Sequence, residues 1–111
     1  MKIVIIGSTQ YVEKFNTHKD EMEKLGHIVR IPAFDDHPDF DELEVCEYNL
    51  ECIEWADAAH LIWDGRSIGT VFDFGMVFAL RKPLQIIYVE EKTILGVMRR
   101  YIVNIADWGE K

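Results

Sequence analysis

With 111 residues, 49% of them apolar, the chain suits a single globular domain spanning residues 1–111 and leaves no room for a second. The net charge of −8 and pI near 4.9, with no Lys or Arg between Arg30 and Arg66, exclude the basic stripe that tracks nucleic-acid phosphates and disfavour an anionic membrane surface. No apolar run approaches the roughly 18 residues of a membrane span.

The opening Met1-Lys2-Ile3-Val4-Ile5-Ile6-Gly7 is too short for a signal peptide and makes a first strand, so a cytoplasmic location is expected. Ile3 to Ile6 is continuously apolar, as in a central parallel strand, and ends in the turn Gly7-Ser8-Thr9. Val12, Phe15, Met22 and Leu25 share one face of a following helix, which Gly26 stops where a left-handed cap belongs. His27 to Ile31 is a short second strand. Residues 32–40, with two prolines and three acids, form a loop, and Asp39 or Asp41 caps the next helix, whose buried stripe is Leu43, Cys46, Leu50 and Ile53. Ala59 to Trp63 is a buried third strand. Val71 to Leu80 is a third helix, closed by Arg81-Lys82-Pro83. Leu84 to Val89 is a fourth strand, and Ile94, Met98, Tyr101, Ile102 and Ile105 mark a last helix from near Thr93.

The order β-α-β-α-β-α-β-α predicts an α/β fold: a doubly wound, mostly parallel sheet of four to five strands with helices on both faces, Rossmann-like or flavodoxin-like. The third helix carries Val71, Phe72, Phe74, Val77, Phe78 and Leu80, too many apolar groups for one surface face. It is either sandwiched in the core or part of a subunit interface. Cys46 and Cys52, six positions apart on one helix, are separated by about 9 Å along its axis and stay free, one as a small core hydrophobe and one as a bystander.

The candidate site is Asp64-Gly65-Arg66-Ser67-Ile68-Gly69-Thr70-Val71-Phe72-Asp73-Phe74-Gly75, a polar loop between an apolar strand and an apolar helix. Open α/β sheets bind ligands at such strand carboxyl ends. The turn after the first strand is its expected neighbour. Together they offer the hydroxyls of Ser8, Thr9, Ser67 and Thr70 and backbone amides near Gly7 and Gly69, a cradle that can hold a phosphate without lysine. Arg66 can add a charge-assisted contact or simply face solvent. No cofactor or metal is called for. The dinucleotide fingerprint and the Gly-x-Ser-x-Gly elbow are absent. Asp73 reads two ways: with Thr70 as N-cap it has nearly capping-box spacing, and a first-turn carboxylate held ionised by the helix dipole suits a nucleophile.

From Met1 to Val89 the chain resembles the nucleoside 2-deoxyribosyltransferase-like superfamily, which includes deoxynucleoside monophosphate N-glycosidases. The resemblance rests on Ile-Val-Ile-Ile-Gly-Ser at the start, Lys24-Leu25-Gly26-His27 before Pro32, Trp55-Ala56-Asp57-Ala58, and Ser67 to Gly75 followed by Ala79-Leu80-Arg81-Lys82-Pro83. It implies that Asp73 stands for the family's nucleophilic glutamate, one methylene shorter, attacking the anomeric carbon to give a glycosyl-enzyme. Ser67 and Ser8 stand for phosphate contacts, and Asn49 stands near an aspartate that positions the base. Tyr11, Asp64 or His37 would replace the missing acid. Homo-oligomers are implied as well, with the third helix and Met98, Tyr101 and Trp108 of the last as contact surfaces.

Three functions follow: N-glycosidic cleavage or transfer on a nucleotide or nucleoside through Asp73; a non-catalytic nucleotide-binding module of the same fold; or a receiver-like domain with Asp64 as phosphoacceptor. The last fits poorly, because Gly7-Ser8 stands where an acidic pair belongs. The nine acids from Asp35 to Glu54, unrelieved by Lys or Arg, are a solvated surface, an interaction face or a divalent-metal site.

Overall fold

A computed structural model describes residues 1–31, 39–90 and 94–109. The elements run β1 (Lys2–Gly7), a single 3-10 turn (Thr9–Tyr11), α1 (Val12–Lys24), β2 (Ile28–Arg30), α2 (Glu42–Trp55), β3 (Ala58–Trp63), α3 (Ile68–Ala79), β4 (Leu84–Val89) and α4 (Ile94–Gly109). The four strands form one parallel sheet in the order β2-β1-β3-β4. This is the expected doubly wound α/β architecture.

Strand alternation divides the core in two. Ile3 and Ile5 of β1 point to one face, with Ile62 of β3, and are covered by Phe15 of α1. Val4 and Ile6 point to the other, with Ala59 and Leu61, and are covered by Cys52, Ile53 and Ala56 of α2 and Val77 of α3. Burial on both faces is why β1 is apolar without alternation. Phe15 is fully buried, and truncating it to alanine would cost about 3–5 kcal/mol.

Local signals end the helices. Gly26 sits at φ +93°, and the N–H groups of Gly26 and His27 return to the carbonyls of Glu23 and Met22, closing α1 as a Schellman cap. The same pattern closes α3, with Arg81 at φ +55° in the place usually given to glycine. Lys82 Nζ then donates to the carbonyls of Glu54 and Ala56, at 3.1 and 2.8 Å, neutralising the carboxyl end of α2. Asp41 is the N-cap of α2, in a capping box with Glu44.

Several expectations change. In α1, Val12 and Leu25 are exposed and His18 is buried, because the stripe facing the sheet runs through Phe15 and His18 rather than through the terminal turns. In α2, Leu43 is exposed in the first turn, ahead of the point where the helix meets the sheet, and Cys52 joins Ile53 in the core. The third helix is not sandwiched: Val71, Phe72, Phe74 and Phe78 are exposed, and its buried residues are Thr70, Asp73 and Val77. In α4, Ile94, Val97, Met98, Tyr101 and Ile102 are all more than half exposed; the side chains of Ile105 and Trp108 lie outside the described residues. The extents of 55 × 33 × 28 Å and the 16.9 Å radius of gyration, against about 13 Å for a compact chain of this length, reflect the same open packing. No helix among the described residues is long and apolar enough to cross a membrane.

Candidate functional site

Between β1 and β3 the strand order reverses direction, β1 leading outward to β2 and β3 lying on its other side. The loops leaving these two strands therefore flank a crevice, the position at which open α/β sheets take ligands. Gly7 makes the junction possible: its φ is +155°, and a Cβ there would fall 1.6 Å from the carbonyl oxygen of Ile62. Its role is close approach to β3, which lets the Ser8 N–H reach that same oxygen at 3.0 Å.

Asp64 organises the second loop. Its Oδ1 accepts the N–H groups of Arg66 and Ser67 at 2.9 and 2.8 Å, while its own N–H donates to Ser8 Oγ at 3.0 Å. Burial alone would raise its pKa, but these backbone donors and the Ser67 and Ser8 hydroxyls together hold it down at about 2. Ser67 Oγ lies 3.1 Å from Ser8 Oγ, and Trp63 Nε1 donates to the Ser67 carbonyl at 3.2 Å. The two loops are thus tied together.

This bracing shifts the helix start. The N-cap of α3 is Ser67, so Thr70 lies within the first turn and Asp73 a turn later. The capping-box reading of Thr70 and Asp73 is overturned, because Asp64 fixes the chain at Ser67 three residues earlier. The expectation that the helix dipole holds Asp73 ionised falls with it, since that field is confined to the first turn.

A cavity of about 310 Å³ opens between α2, α3 and the end of β1. Its wall carries Gly7, Ser8, Thr9, Ser67, Gly69, Thr70 and Asp73 from the expected set, joined by Asn49. Asn49 Nδ2 lies 3.4 Å from both oxygens of Asp73, which is only 6% exposed. Burial pushes the Asp73 carboxyl up to about 6, and the Asn49 amide opposes the rise. Thr70 Oγ1 and Asn49 Oδ1 are buried without partners. A Cβ on Gly69 would meet nothing, so that position is open rather than crowded. None of the described residues lining the cavity is Lys or Arg, so an anion there would be met by hydroxyls and by the backbone N–H groups of the first turn of α3.

Other expected residues are placed elsewhere. Tyr11 does not line the cavity; its hydroxyl donates to Glu90, which raises its pKa to about 12, and its ring packs edge-on to Tyr88. Asp64 lies beneath the loop as a brace and, held ionised, has no proton to give. Arg66 is exposed. His37 lies outside the described residues, as does part of the acidic segment; Glu42, Glu44, Glu47, Glu51 and Glu54 of α2 are exposed. Among the described residues no group of three or more His, Cys, Asp or Glu is placed to hold a metal ion. Val45, Cys46 and Phe72 also line the cavity. The sequence offers Cys46 only as a core or bystander residue; its position one turn before Asn49 on α2 is the signal that points here.

Compared with protein-family models, curated proteins and solved structures, the chain matches none.

Proposed function

We propose that this chain cleaves or transfers the N-glycosidic bond of a nucleotide or nucleoside, with Asp73 as nucleophile. The observation that carries the reading is a buried carboxylate on the wall of a cavity that also carries Ser8, Thr9, Ser67, Gly69 and Thr70, at the switch point of the sheet. One Asp73 oxygen attacks the anomeric carbon while the C–N electron pair leaves with the base, which takes its proton from solvent. Water or a second base then resolves the glycosyl ester. Asn49 orients the carboxylate, and the hydroxyls and amides at the head of α3 hold the phosphate or sugar. With the Asp73 pKa near 6, the nucleophile is ionised above that pH, so the rate should rise with pH through about 6.

A non-catalytic nucleotide-binding module is the second reading. It is favoured by the short reach of an aspartate where the resembling family uses glutamate, since a displacement of ~1 Å can cost ~100-fold in rate. A homo-oligomer accompanies either reading. The exposed apolar residues of α3 and α4 would cover one another across copies, including the groove of about 400 Å³ beside β4 lined by Leu61, Trp63, Val71, Phe74, Leu84 and Ile86.

The test is incubation with nucleoside 5′-monophosphates and free nucleosides of both sugars, with free base followed by chromatography beside Asp73→Ala. Base released by the parent and not by the variant supports cleavage through Asp73. Saturable nucleotide binding without release supports the binding module, and neither result with folded protein sinks both.

A further inference from the structure

Cys46 and Cys52 are both free, yet α2 sets them about 120° apart around its axis and sends them into different surroundings. Cys52 is 2% exposed in the core beneath the sheet, where burial pushes its thiol pKa up. Cys46 is half-buried and lines the cavity that Asp73 and Asn49 also line. The same cavity holds a second, independent sign of a ligand. Thr70, 3% exposed, is among its lining residues, and its hydroxyl is buried without a partner.

We propose that Cys46 is a modification site that narrows the cavity: a small electrophile entering between α2 and α3 ends on its sulfur, and the adduct takes up space in the cavity that Asp73 also lines. With a maleimide, the thiol gives up its proton and the sulfur lone pair forms an S–C bond to one alkene carbon. The π pair moves to the other carbon and takes a proton from water; nothing leaves. With hydrogen peroxide, the sulfur attacks one oxygen, the O–O bond breaks and hydroxide departs. Sulfur is oxidised by two electrons to the sulfenic acid and the peroxide is reduced. Either product adds atoms to a space of about 310 Å³ that the parent leaves open. Loss of ligand rests on the cavity being the binding site proposed above; selective labelling does not.

The experiment treats the full chain with N-ethylmaleimide and maps the label by peptide mass. Cys46 should react at least about tenfold faster than Cys52, and the gap should vanish in denaturant. Amide exchange across Ser67 to Asp73 should slow on labelling, and inorganic phosphate or a nucleoside monophosphate that binds the parent should lose at least about tenfold in affinity for the labelled chain. Cys46→Ser should take up no label at that position, and whatever affinity it has should be the same before and after treatment. Equal reactivity of the two thiols overturns the proposal, as does unchanged exchange across residues 67–73 or undiminished binding by the labelled chain. If no nucleotide binds the unlabelled chain, the nucleotide reading fails by itself, and the labelling ratio and exchange still decide the role of Cys46.

Discussion

Two clusters of buried polar side chains lie on opposite faces of the sheet and are completed differently. Under α1, His18 Nε2 meets His60 Nδ1 at 2.7 Å, with both residues 7% exposed. One ring donates and the other accepts, so the two facing nitrogens satisfy each other inside the protein. On the other face, Asn49 reaches Asp73 only at 3.4 Å, and Thr70 Oγ1 and Asn49 Oδ1 are buried without partners beside a cavity. A buried group that is paired serves the fold, whereas one left unpaired beside open space lowers stability in the absence of a ligand. Both clusters interrupt apolar runs in the sequence, and only their surroundings tell them apart.

The comparison is broken most sharply by Asp73→Asn. The folded pKa is near 6 against a usual 3.8, so the folded state holds the proton more tightly than the unfolded chain. The ionised carboxylate therefore destabilises the fold fully above about pH 6, less as pH falls, and not at all below 3.8. Urea unfolding of Asp73→Asn should show a gain of about 3 kcal/mol at pH 8 that fades near pH 4, together with loss of any base release. A variant less stable than the parent at pH 8 would mean that the carboxylate is better satisfied than the cavity suggests.

The opposite sign is expected under α1. His60→Leu strands His18 and should cost about 2 kcal/mol at pH 8, whereas the His18→Leu, His60→Leu pair should recover most of it, giving a clear coupling energy in a double-mutant cycle. The pH dependence also inverts. Burial lowers both histidine pKa values, aided at His60 by His18 and His27 and opposed at His18 by Glu21. The folded state refuses protons that the unfolded chain accepts, so stability is complete above 6.5 and is lost as pH falls below it toward the folded values. The double leucine variant should keep its stability across that window; an equal acid loss in parent and variant would place the sensitivity elsewhere.

The smallest effect sharpens the contrast. Thr70→Val removes an unpartnered hydroxyl while keeping its shape, and should stabilise the ligand-free chain by about 1 kcal/mol while weakening whatever binds the cavity. Thermal melts with and without ligand measure both. A loss of stability would show that the hydroxyl is paired after all.

Much of the fold was readable without coordinates. Apolar runs bounded by turn residues placed β1, β3 and β4 to within a residue at each end, Gly26 marked the stop of α1, and Asp41 was one of two caps offered for α2. Within the site, Gly7, Ser8, Thr9, Ser67, Gly69, Thr70, Asn49 and Asp73 were named as candidates and line one cavity. Tyr11 was also named, but its hydroxyl turns to Glu90, a partner 79 positions away that no local pattern reveals. The start of α3 differs from the expected one for a similar reason. Thr70 has the better local spacing, yet Asp64 binds the Ser67 N–H and sets the cap there.

Periodicity and turn chemistry act over a few residues, so the sequence by itself determined the elements, their order and, with the preference for short right-handed crossovers, a parallel sheet with its loops at one edge. Burial and pairing are properties of surroundings assembled from distant segments. Only the tertiary structure decided that His18 finds His60, that Asp64 braces the loop at Ser67, and that Asp73 is shielded enough to hold its proton to about pH 6. The physical reason is that desolvation and hydrogen-bond completion depend on every atom packed around a group, whatever its separation along the chain.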